Sequence, residues 1–283
     1  MTTWTLITFI LGFGLLVGGA EVFVRGATRL AVMLGVGPLV VGLTVVALGT
    51  TAPEIAVSVL SALEGKPDLA LGNVVGSNIL NVLLILGVSA IIVPLTVSHQ
   101  LIRLDVPIMI AVSVLALVLA MDGAISRGDG VLLLGLALGY SAFTVLLARR
   151  EPETPEDCEF ADKYAAPADQ NRALWIRSAV YIVVGAGALV LGSRWLVNGA
   201  VLAARAMGIS EMVIGLTVVA VGTSLPEVAT SVMASLRGQR DIAVGNVVGS
   251  NIYNVLAVLG AGATVGPAGI AVSPAALRFD LPV

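Results

Sequence analysis

Residues 41–87, "VGLTVVALGTTAPEIAVSVLSALEGKPDLALGNVVGSNILNVLLILG", and residues 214–260, "IGLTVVAVGTSLPEVATSVMASLRGQRDIAVGNVVGSNIYNVLAVLG", are two copies of one segment, matched without a gap at a constant offset of 173. The likeness resumes at "VSHQLIRLDVP" (97–107) and "VSPAALRFDLP" (272–282). A chain made of tandem copies must fold as two related halves. With 58% hydrophobic and 12% charged residues and a mean hydropathy of +1.02, each half lies far from the norms of soluble domains. Apolar windows long enough to cross a bilayer as helices, roughly 17 to 25 residues, recur along nearly the whole chain. The coarse spans are 4–24, 30–62, 68–93, 102–120, 128–148, 174–197, 203–235 and 241–264. Strand-like alternation is absent, so the pattern predicts an all-α integral membrane protein whose solvent is the lipid bilayer.

The first span lacks a basic leader and a convincing cleavage site after Gly18-Gly19-Ala20, and reads as a retained helix. The first unit, 1–148, holds five spans, so the second, 174–283, enters the membrane from the opposite side. That makes an inverted repeat, a recurrent transporter design with its binding site near the midplane where the repeats meet. Between the units, "RREPETPEDCEFADKYAAPADQNR" (149–172) is polar and acidic on balance, and the segment 149–173 reads as a solvated linker. The single Cys158 falls there and has no partner, which excludes a disulfide framework or a cysteine metal site. Arg25, Arg29, Arg103, Arg149, Arg150, Lys163, Arg172, Arg177, Arg237 and Arg240 fall on one side of this span pattern, against Lys66, Arg127, Arg194, Arg205 and Arg278 on the other. By the positive-inside rule the linker is cytoplasmic and the N-terminus outside, in a multi-pass protein of the inner or plasma membrane.

In each copy a proline and a carboxylate interrupt an apolar stretch, at "GTTAPE" (49–54) and "GTSLPE" (222–227). Proline lacks an amide hydrogen and its ring clashes with the carbonyl four residues back, so Pro53 and Pro226 are expected to break their helices at Gly49 and Gly222 and to free carbonyls near Ala47 to Gly49 and Ala220 to Gly222. In a bilayer such groups need protein, a hydrated cavity or a bound cation. Thr50 and Glu54 share a helix face, as do Thr223 and Glu227. The next helix carries Asn73, Ser77 and Asn81 at spacings of four, matched by Asn246, Ser250 and Asn254. All are hard oxygen donors of the kind Ca2+ or Na+ prefers, with neither sulfur nor imidazole for zinc or copper.

Glu54 and Glu227 are the carboxylates near the middle of spans, where an ionisable group is costly and function is the default reading. Two negative charges balance one divalent or two monovalent cations. Bracing of helices by protonated glutamates is the alternative. Gly72-x-x-x-Gly76 and Gly245-x-x-x-Gly249 read as close-packing motifs. Asn78 and Asn251 read as helix-to-helix hydrogen bonders, His99 as a loop-end residue without a catalytic role, and Asp105 and Asp280 as helix-start and interface residues.

The doubled motifs "ALGTTAPE…GNVVGSNILN" and "AVGTSLPE…GNVVGSNIYN" resemble the two alpha repeats of the sodium/calcium exchanger family, of bacterial or archaeal type, within the cation/calcium antiporter superfamily. The resemblance implies ten helices about an inverted pseudo-twofold axis, four ion subsites in a central diamond, and first and sixth helices that slide across the rest. It implicates Thr50, Thr51, Glu54, Ser77 and Asn81, with Thr223, Ser224, Glu227, Ser250 and Asn254, and the backbone carbonyls of Ala47 and Ala220, as metal ligands. Asn254, where some members carry Asp, weakens any expectation of potassium coupling. Most of the last two helices have no counterpart before Val283, so the natural protein is expected to continue for about 35 to 45 residues, two crossings and a turn, and the present chain to expose an apolar groove beside the seventh and eighth helices. The implied function is not enzymatic: an antiporter exporting Ca2+ against entering Na+, with no cofactor and no nucleic-acid partner. Proton-coupled Ca2+ antiport is the alternative, and a cation channel fits less well, since long apolar spans with one polar centre leave no continuous polar pore.

Overall fold

A computed structural model describes residues 3–95, 97–149, 171–208, 220–274 and 276–280. The linker residues 150–170 with Cys158, and residues 209–219 at the start of the seventh expected span, lie outside the described residues. Helix α1 runs Thr3–Leu34. It is followed by the broken pair α2 (Pro38–Thr50) and α3 (Ala52–Leu63), bent by 44° at Thr51. Then come α4 (Pro67–Ile92), α5 (Leu101–Asp122) and α6 (Arg127–Ala148). The second half holds α7 (Asn171–Ala206), α8 (Ala220–Thr223), α9 (Leu225–Leu236) and α10 (Arg240–Val265). Six of these helices, α1, α4, α5, α6, α7 and α10, are each long and apolar enough to cross a membrane, and α2 with α3 makes a seventh, broken span.

The helix limits follow local chemistry. Prolines in the first turn open α2, α3 and α4, the helical position where a missing amide is best tolerated. Ser126 and Asp129 form a capping box at the start of α6, each side chain taking the other's backbone amide, at 3.2 and 2.9 Å. Gly65 and Gly238, equivalent in the two copies, end α3 and α9 with φ of +69° and +73°, a conformation that favours glycine.

Two expected boundaries are wrong. The turn placed at 25–29 is helix, and α1 continues to Leu34; α7 likewise runs through 198–202 to Ala206. Charge at Glu21, Arg25 and Arg29 resembles a turn, but Glu21 pairs with Arg25 one turn on and with Arg237, so the helix need not end to expose it. A two-residue antiparallel pairing, Ala124–Ile125 with Ile270–Ala271, also joins two loops and is too short to leave an alternating pattern.

The two long helices α1 and α7 pack together through glycines repeated every seven residues: Gly12, Gly19 and Gly26 on one, Gly185, Gly192 and Gly199 on the other. A Cβ on Gly19 would lie 2.9 Å from that of Ala188, and one on Gly185 2.6 Å from the amide of Phe23. Elsewhere α10 is the axis of the molecule and is buried along its length, with Tyr253, Ile252 and Leu256 in the core. Gly245 and Gly249 let it approach α2: added Cβ atoms would lie 2.8 Å from the Leu39 carbonyl and 2.6 Å from that of Leu43, so in this copy the motif does serve packing. Helices α5 and α6 also lie on α10, with Tyr140 edge-on to Tyr253 at 5.9 Å. Asp105 is buried, as an interface residue would be, and accepts a hydrogen bond from Tyr140 at 3.2 Å. The groove expected beside the seventh and eighth helices falls partly on residues 209–219, outside the described residues. A groove of about 440 Å³ lies between α4 and α5, lined by Val74, Val82 and Met109, with Asn251 and Val255 of α10 against it.

Candidate cation-binding site

The break at Thr51 is milder than expected. The Thr51 amide still donates to the Ala47 carbonyl at 3.0 Å, and the Thr50 hydroxyl also reaches that carbonyl at 3.2 Å, so Ala47 is not stripped of partners. The carbonyl that proline cannot serve is the one four residues before it, Gly49 or Gly222. In the second copy Ser193 of α7 supplies the missing donor, its hydroxyl giving a hydrogen bond to the Gly222 carbonyl at 2.5 Å. Ser193→Ala leaves that carbonyl without its donor and is expected to lower stability by about 1 to 3 kcal/mol. Thermal unfolding in detergent measures this, and an unchanged midpoint would show that the carbonyl is served from elsewhere.

Around the two breaks the expected oxygen-bearing side chains converge. Thr50, Thr51, Glu54, Ser77, Asn81, Ser224, Glu227, Ser250 and Asn254 are all buried, and Thr223 is half-buried. Each break faces the other copy. Ser224 lies 3.3 Å from Glu54 Oε1 and 3.2 Å from the Ser77 hydroxyl, and Thr51 donates to Ser250 at 3.4 Å. For Ala220 only the backbone position is described, at the start of α8.

Asn73 and Asn246 behave differently from the oxygen donors they were expected to be. The Asn73 amide donates to Ser58 at 2.9 Å and to the Glu54 carbonyl at 3.2 Å, while its oxygen accepts from Thr223 at 3.4 Å. Asn246 repeats this with Ser231 at 2.8 Å, the Glu227 carbonyl at 3.4 Å and Thr50 at 3.1 Å. Their hydrogen-bonding groups are thus engaged in holding the glutamate-bearing helices. Ser58 and Ser231 had a signal: each sits one turn after its glutamate and 173 residues from its twin. Ser193 had none, since its equivalent is Ala20.

Asn78 and Asn251 cross-link the copies, as their position one step off the polar face predicts. Asn81 donates to Asn251 Oδ1 at 3.0 Å, Asn254 donates to Asn78 Oδ1 at 2.9 Å, and Asn78 donates to the Asn251 carbonyl at 3.4 Å. The backbone widens into a π-helical turn at these positions, over Asn81–Ile85 and Asn254–Leu259, a feature often found at functional sites. With both amide nitrogens turned to the partner copy, the oxygens of Asn81 and Asn254 remain without hydrogen bonds, as do Oε2 of Glu54 and Oε2 of Glu227. Other buried polar atoms also lack partners, Ser89 Oγ and Thr230 Oγ1 among them, but these four are carbonyl and carboxylate oxygens of the residues gathered around the two breaks, two from each copy. Lone pairs of this kind are what a hard cation takes, and a carboxylate oxygen can also take a proton.

Interrupted helices in inverted repeats, meeting at a buried centre lined with oxygen, define a membrane transporter. The model of the sodium/calcium exchanger protein family matches residues 4–146 and 177–283, and the chain belongs to that family. It is 40% identical to the putative antiporter CaxA of Alkalimonas amylolytica over 195 residues, 69% of this chain and 60% of that protein. Likeness to the inner membrane protein YrbG of Escherichia coli K12 is also 40%, covering 68% of this chain and 58% of YrbG. The matched segment thus spans about 60% of the length of these two relatives. The sodium/calcium exchanger MaX1 of Methanosarcina acetivorans is 33% identical across all of this chain and 89% of its own. Among solved structures, the sodium-calcium exchanger NCX_Mj soaked with 10 mM Na+ and zero Ca2+ matches with a TM-score of 0.84 at 33% identity, covering 100% of this chain and 89% of that one.

Proposed function

We propose that this chain is a cation antiporter that exchanges Ca2+ for Na+ by alternating access. Its ions are held by the carboxylates of Glu54 and Glu227, the oxygens of Thr50, Thr51, Ser77 and Asn81 with Thr223, Ser224, Ser250 and Asn254, and the backbone around Ala47 and Ala220. The observation that carries this reading is the set of four buried oxygens without donors on Glu54, Asn81, Glu227 and Asn254. Two carboxylates match the charge of one Ca2+ or two Na+, and the neutral oxygens complete a coordination shell of the number and hardness that Ca2+ takes. The family and the relatives named as exchangers agree with it. The site is laid into the inner or plasma membrane with the N-terminus outside and the linker cytoplasmic, in line with the distribution of basic residues.

Proton coupling is the second reading, favoured by the same unpaired carboxylate oxygens, which would accept a proton as readily as a metal. Uptake of Ca2+ into proteoliposomes separates the two. An imposed Na+ gradient is expected to drive uptake, with or without K+ because Asn254 offers an amide rather than a carboxylate, and an imposed proton gradient alone is not. Uptake driven only by the proton gradient would overturn the Na+ reading.

A further inference from the structure

The two halves are equivalent in sequence but differently packed. Helix α1 lies against α9, with Phe23, Val24 and Ala27 in one apolar cluster with Ala234, and Met233 packed onto it. The equivalent packing, α7 on α3, is at most slight among the described residues: Leu60, the twin of Met233, is 58% exposed. An ion pair follows the same asymmetry. Glu21 of α1 is clasped by Arg237, the residue after α9, through a bond from Nε at 2.7 Å and a second from Nη2, and is also paired with Arg25. Shifted by 173, Glu21 becomes Arg194 and Arg237 becomes Glu64. The register is secure, because the glycines Gly19 and Gly26 flanking Glu21 become Gly192 and Gly199 flanking Arg194. The second pair therefore has the same places in the fold with the charges exchanged. It is not formed here: Glu64 is held by Lys66 at 2.7 Å, and Arg194 is exposed and has no ion pair among the described residues.

We propose that Glu21–Arg237 and Arg194–Glu64 are alternating latches, one closing each side of the transport site, and that only one is made at a time. In an inverted repeat, exchanging the conformations of the two copies converts one facing state into the other. What holds α1 to α9 in one state then holds α7 to α3 in the other. The glycine seam makes α1 and α7 a closely fitted pair, so a shift that lifts α1 from α9 carries α7 towards α3. The residues are positioning residues, remote in role from the ion ligands. On the topology proposed above, the latch made here closes the cytoplasmic side.

This rests on the alternating-access reading, and its test does not need transport. In a Cys158→Ser background, Glu64→Cys with Arg194→Cys are reacted with a short bis-maleimide, and the rate of internal cross-linking is measured in proteoliposomes. Adding Arg237→Gln is expected to raise that rate about fivefold, the change produced by losing a pair worth about 1 kcal/mol. Adding Arg237→Lys is expected to change it little. The reciprocal pair, Glu21→Cys with Arg237→Cys, is expected to cross-link faster when Arg194→Gln is added. Rates unchanged by either glutamine in proteins that elute as the parent does would overturn the latches. Alternating cross-links without Ca2+ flux would instead leave the latches standing and remove the proposed cargo.

Discussion

Glu54→Gln and Glu227→Gln are each expected to lower the proposed Na+-driven Ca2+ uptake by about a hundredfold or more, in protein that elutes from size exclusion as the parent does. Each glutamate is buried and keeps one oxygen free of hydrogen bonds. Glutamine has nearly the same shape, so the substitution removes charge rather than packing. Taking away one charged partner of a bound ion inside the membrane costs about 3 kcal/mol, which is the hundredfold stated. The amide also places two N–H donors where a cation needs lone pairs. Near-normal uptake in both single variants would sink the assignment of the site.

Asn251→Ala is expected to weaken the apparent affinity for Ca2+ at the proposed site by about 10- to 100-fold, the usual cost of removing a group that orients a metal ligand. Asn251 would not touch the ion: it takes the amide hydrogen of Asn81 at 3.0 Å and so aims the Asn81 oxygen inward. Without that acceptor the Asn81 amide can turn over and present a donor to the cation. The effect is expected in the concentration of Ca2+ giving half-maximal uptake more than in the maximal rate, and Asn251→Asp, which still accepts the bond, is expected to recover most of it. An unchanged half-maximal concentration in the alanine variant would show that Asn81 is oriented by its own helix alone.

The repeated "PE" breaks and the Asn-Ser-Asn spacing were legible because proline, carboxylate and amide are rare in apolar helices, and every one of them recurs at the same offset. That sufficed to bring Glu54, Glu227, Ser77 and Ser250 to one place. Which way an amide turns was not legible. Asn73 and Asn81 stand on the same face of α4, yet one hydrogen-bonds through both its ends and the other keeps a free oxygen, because Ser58 and Thr223 surround the first while Asn251 meets the second. That difference is set across the interface between copies, where local sequence is silent. Helix ends near charges were misread for a similar reason: Arg237, the partner that lets Glu21 sit inside α1, is 216 residues away.

The crossed amides have a consequence for the making of the protein. Asn81 is aimed by Asn251, and Asn254 by Asn78, so neither half possesses a finished site. Ribosomes add about 5 to 20 residues per second, so the first half waits on the order of ten to thirty seconds in the bilayer before its complement is synthesised. Through that interval Glu54 and Asn81 are newborn polar groups in hydrocarbon with their oxygens unserved. Proton uptake by Glu54, or water following the unfinished helix pair into the membrane, would cover that wait until α10 brings Asn251 to Asn81.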